Sequence, residues 1–155
     1  MCIAILNTID RLSADTITNS WNNNNQGAGL LYNLNGQLQT FKTYKLKQLL
    51  KEYNRLRDNP NTGKIVLHFR IATSGGTEKY TNLHPFLINS KLGFVHNGII
   101  TGLGNNTHSD TYQFNELLKQ LPPNFLQCEA TRELITGYIG GSKLIFLDKI
   151  GRAHV

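Results

Sequence analysis

The stretch LLYNLNGQLQTF, residues 30–41, predicts the basic unit of the fold. Two segments with apolar side chains, 30–34 and 37–41, flank Asn35-Gly36. This residue pair readily adopts the positive φ angles of a type I′ turn, which joins two antiparallel strands through a loop of two residues. We therefore expect a β-hairpin here, and with it an antiparallel sheet.

The segments on either side of this hairpin predict an α+β fold. Residues 45–58 carry leucines at helical spacing and stop before Asn59-Pro60, as an amphipathic helix does. Ser13 is a suitable N-cap for a short helix that carries Ile17 and Trp21. The other apolar patterns predict strands at 2–6, 64–70, 91–95 and 143–147, and helices at 110–121 and 129–138.

Length and composition are those of one globular domain. The chain has 155 residues, of which 39% are hydrophobic, so it can bury a core of its own. No apolar run approaches the roughly 20 residues that span a bilayer, and the first residues do not form a secretion signal. Two cysteines, Cys2 and Cys128, make neither a disulfide framework nor a metal cluster. We expect a cytoplasmic protein with no membrane partner, metal or cofactor.

The net charge of +6 does not by itself indicate nucleic-acid binding. Many of the basic residues lie between Lys42 and Arg57, where they form the solvated face of the predicted helix. Basic surfaces that hold single strands usually include exposed aromatic side chains, whereas Tyr53 falls on the apolar stripe of this helix. We therefore expect no nucleic-acid partner.

Cys2 directly follows the initiator methionine. Removal of Met1 leaves a first residue that carries both a thiol and a free α-amine. The thiol is largely protonated at neutral pH, and the α-amine is partly neutral and can accept the thiol proton directly or through one water. Cys2 is therefore a candidate nucleophile with its own base. The alternative is a small apolar residue that opens a buried strand.

The segment HFRIATSGG, residues 68–76, ends a strand pattern with an arginine and continues through small, hydrogen-bonding residues. Arg70 offers a planar fork that matches a carboxylate, and Thr73 adds a hydroxyl donor, so this loop is a candidate anion clamp. The alternative for Arg70 is a surface arginine at the end of a strand.

His84, in the segment NLHPF at 82–86, has three possible roles. These roles are a metal ligand, a proton carrier and a side chain that anchors its loop. We favour the anchor, because no partner accompanies His84 at metal-ligand spacing and His68 lies far back in the sequence.

Two further polar groups follow. In LGFVHNGII, residues 92–100, an apolar strand breaks at Asn97-Gly98. The side-chain amide of Asn97 and the backbone N–H of Gly98 can together form an oxyanion hole; the alternative is a hairpin turn. Asp110 precedes a helix with an apolar face, so it is a candidate N-cap and also a candidate acceptor for a substrate ammonium.

Together these segments resemble the class II glutamine amidotransferases, a family of N-terminal-nucleophile hydrolases that release ammonia from glutamine. Cys2 after a removable Met1 matches the family nucleophile. Five segments then match the family's motifs in its order, over residues 2 to about 121: QGAG (26–29), HFRIATSG (68–75), NLHPF (82–86), HNGII (96–100) and SDT (109–111).

The resemblance implies a four-layer αββα sandwich of two antiparallel sheets. It also implies that Cys2 attacks the side-chain amide of L-glutamine and forms a γ-glutamyl thioester. A synthase domain or a partner protein then receives the ammonia. By the same resemblance Asn97 and Gly98 form the oxyanion hole. Arg70 holds the substrate α-carboxylate, Asp110 pairs with its α-amine, Thr73 assists and His84 supports the loop. The Asn-rich and Lys-rich composition is similar to that of stand-alone members in phages.

The chain departs from the family's pattern at Ile3, where glycine is usual, and at Ser74, where histidine is common. It is also shorter than a family glutaminase domain, so we expect a C-terminally incomplete sandwich. Two other functions remain open. One is an N-terminal-cysteine hydrolase of another γ-glutamyl or acyl amide, against which Arg70 and Asp110 argue, and the other is an inactive interaction domain.

The last six residues, IGRAHV at 150–155, have the sequence that results from translating ATCGGAAGAGCACACGTC, part of a widely used sequencing adapter. We therefore expect residues 1–149 to represent the glutamine amidotransferase domain and residues 150–155 to be a non-native tail.

Overall fold

The computed structural model describes residues 2–72 and 80–155. Within them the chain is an α+β protein, as predicted, with two antiparallel sheets of four strands each and four α-helices. The strands are β1 (Ile3–Asn7), β2 (Ala28–Leu34), β3 (Gln37–Thr43), β4 (Thr62–Phe69), β5 (Phe86–Asn89), β6 (Leu92–Asn97), β7 (Lys143–Asp148) and β8 (Ala153–His154). The helices are α1 (Ala14–Asn23), α2 (Leu46–Asp58), α3 (Asp110–Leu118) and α4 (Glu129–Ile139).

The predicted hairpin is confirmed. Strands β2 and β3 are paired, with Leu34 opposite Gln37 next to the turn and Ala28 opposite Thr43 at the far end. Asn35 and Gly36 have φ angles of 52° and 71°, the signs that a type I′ turn requires. The predicted Ser13 cap is confirmed as well, because its side chain accepts a hydrogen bond from the backbone N–H of Thr16.

Apolar residues form three clusters in successive layers. One lies between the first sheet, of order β1-β4-β2-β3, and helices α1 and α2. A second lies between the other sheet, of order β5-β6-β7-β8, and helices α3 and α4. The third contains residues from both sheets, among them Leu31, Val66, Val95 and Ile145, and therefore lies between them. This layering is compatible with the predicted αββα sandwich.

Several boundaries differ from the predictions. Strand β5 was not predicted, because four residues after His84-Pro85 do not carry a clear alternating pattern. Ala28 and Gly29, which precede the predicted strand segment at 30–34, begin strand β2. The tail at 150–155 contributes β8, which pairs with β7, and its non-native origin stays a prediction. Of the helices that the structure describes, none has the length and apolar character to cross a membrane.

Gly29 lets two backbone segments approach closely beside the site. A methyl group at this position would overlap the carbonyl oxygen of His84 and would lie 2.8 Å from the carbonyl oxygen of Phe41. Both obstacles are backbone atoms, which move less easily than the end of a side chain. The close approach brings the loop that carries His84 onto the first sheet.

We expect Gly29→Ala to lower the free energy of unfolding by about 1–3 kcal/mol or more, because the added methyl overpacks this contact. The matched control is Gly63→Ala in strand β4, where the new methyl meets only ordinary contacts at 3.5 Å and beyond. Urea unfolding of both variants measures the difference. Equal midpoints for the two variants would contradict the close approach at Gly29.

Candidate active site

The register of β1 against β4 brings Cys2 to Arg70. Ile3 lies opposite Phe69, so the next residues outward from this pair are Cys2 and Arg70. The Sγ of Cys2 donates a hydrogen bond of 3.5 Å to the carbonyl oxygen of Ile71. Cys2 precedes the strand and is only partly buried, so the alternative of a buried strand residue does not describe it.

Five of the predicted site residues line one cavity: Cys2, Arg70, His84, Gly98 and Asp110. They come from separate parts of the chain, as the predictions require. The cavity has a volume of about 20 Å³, which is enough for about one water molecule. Asn97 does not line it, and Thr73 lies outside the described residues. The remaining lining residues are Ile71, His96, Ser109 and Thr111.

Arg70 is held by the segment before β2. Its backbone N–H donates to the carbonyl oxygen of Gly27 at 2.8 Å, and its own carbonyl oxygen accepts from the N–H of Gln26 at 3.2 Å. The side chain of Gln26 then accepts from the N–H of Ala72 at 2.6 Å. Arg70 is only 4% exposed, so the alternative of a surface arginine is wrong.

Asp110 is not the N-cap of α3, and that prediction is wrong. The cap is Ser109, whose side chain accepts from the N–H of Tyr112. The carboxylate of Asp110 is engaged elsewhere, because it accepts from the N–H of Ile100 at 2.8 Å and from the N–H of Thr111 at 2.7 Å. Asp110 therefore ties the segment after β6 to the start of α3 and still lines the cavity.

Gly98 follows the end of β6 and does not form a hairpin turn. No strand follows it before α3, and its φ angle of +143° favours glycine. A methyl group there would lie 2.7 Å from the Cβ and 2.8 Å from the Cα of Ser142. Among the described residues the side-chain oxygen of Asn97 is buried and has no hydrogen-bond partner, which is uncommon for a buried polar atom.

His84 belongs to a group of three buried histidines. Its ring stacks on that of His68, with centroids 3.9 Å apart, and lies 6.3 Å from that of His96. Its Nδ1 accepts a hydrogen bond of 3.2 Å from the backbone N–H of His96, a contact that suits an anchoring side chain. In the part of the chain that the structure describes, no three His, Cys, Asp or Glu side chains are grouped to hold a metal ion.

Burial shapes the electrostatics of the site. It raises the pKa of the Cys2 thiol, and the positive charge of Arg70 offsets only part of this effect. Burial also lowers the pKa of His68 to about 3 and keeps the pKa values of His84 and His96 below the ordinary imidazole range. The thiol is therefore protonated at neutral pH and the three imidazoles are uncharged, so a reaction at Cys2 needs a group that accepts the thiol proton.

Several residues of the site were given no role from the sequence, among them His68, His96 and Thr111. His68 was used only as a remote residue, although the structure places its ring against that of His84. His96 and Thr111 line the cavity, and the Nδ1 of His96 lies 2.7 Å from the hydroxyl of Thr111. The segments that contain them were singled out, but only the register of the strands shows which of their side chains meet.

The chain matches no protein-family model, and no curated protein is significantly similar to it. The arrangement of the cavity residues therefore carries the functional argument.

We expect stability to fall as the pH is lowered below about 6.5, the ordinary value for an unfolded histidine. The lowered pKa of His68 means that the folded chain binds fewer protons than the unfolded chain between about pH 6.5 and pH 3. Each such histidine lowers the free energy of unfolding by about 1.4 kcal/mol per pH unit. Urea unfolding from pH 7 to pH 4 measures this slope.

The pH dependence of the free energy of unfolding distinguishes the buried His68 from an exposed histidine. His68→Gln removes one buried imidazole and is expected to flatten the pH dependence, whatever its effect at pH 7. His154→Gln, at an exposed position, is the matched control and should leave the slope unchanged. If both variants keep the wild-type slope, His68 does not cause the acid sensitivity.

Proposed function

We propose that this protein is a class II glutamine amidotransferase with the N-terminal nucleophile hydrolase fold, and that it hydrolyses the side-chain amide of glutamine. The observation that carries the proposal is the shared cavity of Cys2, Arg70, Gly98 and Asp110. Cys2 and Asp110 are far apart in the sequence. Each of the four residues carries a group that the proposed reaction uses, either in a chemical step or in binding the substrate. The two antiparallel sheets with helices are compatible with this fold.

In the proposed reaction the α-amine of Cys2, freed by removal of Met1, accepts the thiol proton. The sulfur attacks the amide carbon of the glutamine side chain, and a tetrahedral intermediate forms. When the C–N bond breaks, the amine returns a proton to the departing nitrogen, and ammonia leaves. A water molecule then attacks the γ-glutamyl thioester, which releases glutamate and regenerates the thiol.

The raised pKa of the Cys2 thiol supports this use of an internal base, because a thiol that is partly withdrawn from water does not ionise readily without one. In this proposal the backbone N–H of Gly98 donates to the oxygen of the tetrahedral intermediate, and the presence of Gly98 in the lining of the cavity supports this role. Asn97 supplies the second donor in this proposal. Its side chain must then turn toward the substrate, because Asn97 does not line the cavity.

The cavity also carries groups that suit a free amino acid. Arg70 offers a fork for the α-carboxylate, and Asp110 offers a carboxylate for the α-amine. A ligand without these groups leaves two buried charges without that pairing, which disfavours simple amides.

Released ammonia is proposed to pass to an acceptor on a synthase domain or partner protein. The two cysteines of the described chain are free, which fits a reducing compartment such as the cytoplasm.

We expect the purified protein to lack Met1 and to release ammonia from glutamine. Cys2→Ala should abolish this activity, because it removes the nucleophile, while Cys128→Ala, which changes an exposed cysteine, should leave it intact. Intact-mass measurement and an ammonia assay test both points. Retention of Met1, or equal hydrolysis by wild type and Cys2→Ala, would exclude the mechanism.

The same assay separates the alternative substrates. Glutamine is compared with an N-acylated glutamine and with a simple acyl amide, neither of which offers both a carboxylate and an amine. Preference for either of these would indicate a hydrolase of another amide, and no turnover of any of them would indicate an inactive interaction domain.

We expect Arg70→Lys and Asn97→Ala to change different kinetic constants. Arg70→Lys loses the planar fork and should raise KM about tenfold with a smaller effect on kcat. Asn97→Ala loses an oxyanion donor and should lower kcat by about 10²–10³ with little change in KM. Steady-state kinetics with glutamine measures both, and the reversed pattern would exchange the two assignments.

A further inference from the structure

Strand β6 extends beyond the start of strand β5, which is its partner on one side. Phe86 of β5 lies opposite Phe94 of β6, so two steps further along the register residue 84 would lie opposite residue 96. Strand β5 begins only at Phe86, so among the described residues the backbone of His96 has no strand partner on that side. On its other side His96 lies opposite Leu144 of β7.

The imidazole rings of His68 and His84 hydrogen-bond to the backbone of His96 on the side that β5 does not reach. The backbone N–H of His96 donates to the Nδ1 of His84 at 3.2 Å, and its carbonyl oxygen is 2.9 Å from the Nε2 of His68. The rings of His68 and His84 stack with centroids 3.9 Å apart and planes 25° apart. The main chain of one residue is thus held by two side chains that also support each other.

These two contacts require defined tautomers. A carbonyl oxygen only accepts, so the Nε2 of His68 must carry a proton. A backbone N–H only donates, so the Nδ1 of His84 must carry none. His84 is therefore uncharged, with its proton on Nε2. Burial lowers the pKa of His68 to about 3, so this ring is uncharged at neutral pH as well and also carries its proton on Nε2.

We propose that His68 and His84 are positioning residues that hold the main chain of His96 and thereby place the N–H of Gly98 beside Cys2. This role rests on the proposed function, in which Gly98 donates to the oxyanion. Gly98 is two residues beyond His96 and one residue beyond the end of β6, so no further strand pairing holds it. A displacement of about 1 Å at such a donor costs about 10² in rate.

Two pairs of variants test the role. His68→Leu and His84→Leu remove the hydrogen-bonding atom and keep an apolar side chain. His68→Gln restores a donor at about the distance of Nε2, and His84→Asn restores an acceptor at about the distance of Nδ1. His154→Leu, at an exposed position, is the matched control for loss of a histidine.

We expect each leucine variant to lower kcat for glutamine about 10-fold to 100-fold, with KM within about threefold of the wild-type value. The glutamine and asparagine variants should recover a large part of this loss, and His154→Leu should behave as wild type. The alkylation rate of Cys2 by iodoacetamide should stay within about twofold in all of them, because that displacement forms no oxyanion. Peptide mass spectrometry separates Cys2 from Cys128.

Other outcomes overturn the role in distinguishable ways. Equal kcat in wild type and both leucine variants excludes positioning, and so does a loss that the glutamine and asparagine variants do not reduce. If the leucine variants do not fold, NMR of the ¹⁵N-histidine wild-type protein decides: a proton on the Nδ1 of His84 contradicts the proposal, and protons on both Nε2 atoms support it. A wild-type protein without glutaminase activity overturns the proposed function, and this role with it.

Discussion

The structure depends on the register of strand β4 with its two neighbours. Phe69, the last residue of β4, lies opposite Ile3 of β1 on one side and opposite Ala28 of β2 on the other. The residues just beyond these three therefore meet at one point, and they are Arg70, Cys2 and the segment that ends at Gly27. A shift of one residue in either pairing would turn every side chain of that strand to the opposite face and would separate Cys2 from Arg70.

Several buried polar groups lie at this end of the two sheets, beside Arg70 and Cys2. The layer between the sheets is apolar along its middle, where Leu31, Val66 and Val95 meet. At the site it gives way to buried Arg70, Asp110 and the histidines, which are costly to bury unless they are paired or uncharged. The hydrogen bonds to Asp110 and the uncharged state of the imidazoles meet this requirement, so the chemistry of the site and its stability are coupled.

Local signals were sufficient for much of the fold, and long-range contacts account for the rest. The hairpin at Asn35-Gly36 and helix α2 follow from a turn pair and from a leucine stripe, so both could be predicted from a few neighbouring residues. Asp110 was assigned a capping role because it precedes an apolar helical pattern, but its carboxylate binds the N–H of Ile100, ten residues away. His68 contacts His84 because the fold brings two distant segments together, and no spacing in the sequence predicts this contact. Five residues that line the cavity could be named in advance because their motifs are local, whereas their mutual positions could not.

Among the strands that the structure describes, β1 lies at the edge of its sheet and pairs with β4 alone. Cys2 directly precedes this strand and lines the cavity. An N-terminal affinity tag would convert the α-amine of Cys2 into an amide nitrogen, which does not accept a proton. Under the proposed chemistry such a tagged protein is inactive although it is fully folded, so the form in which the protein is produced decides whether its activity can be observed.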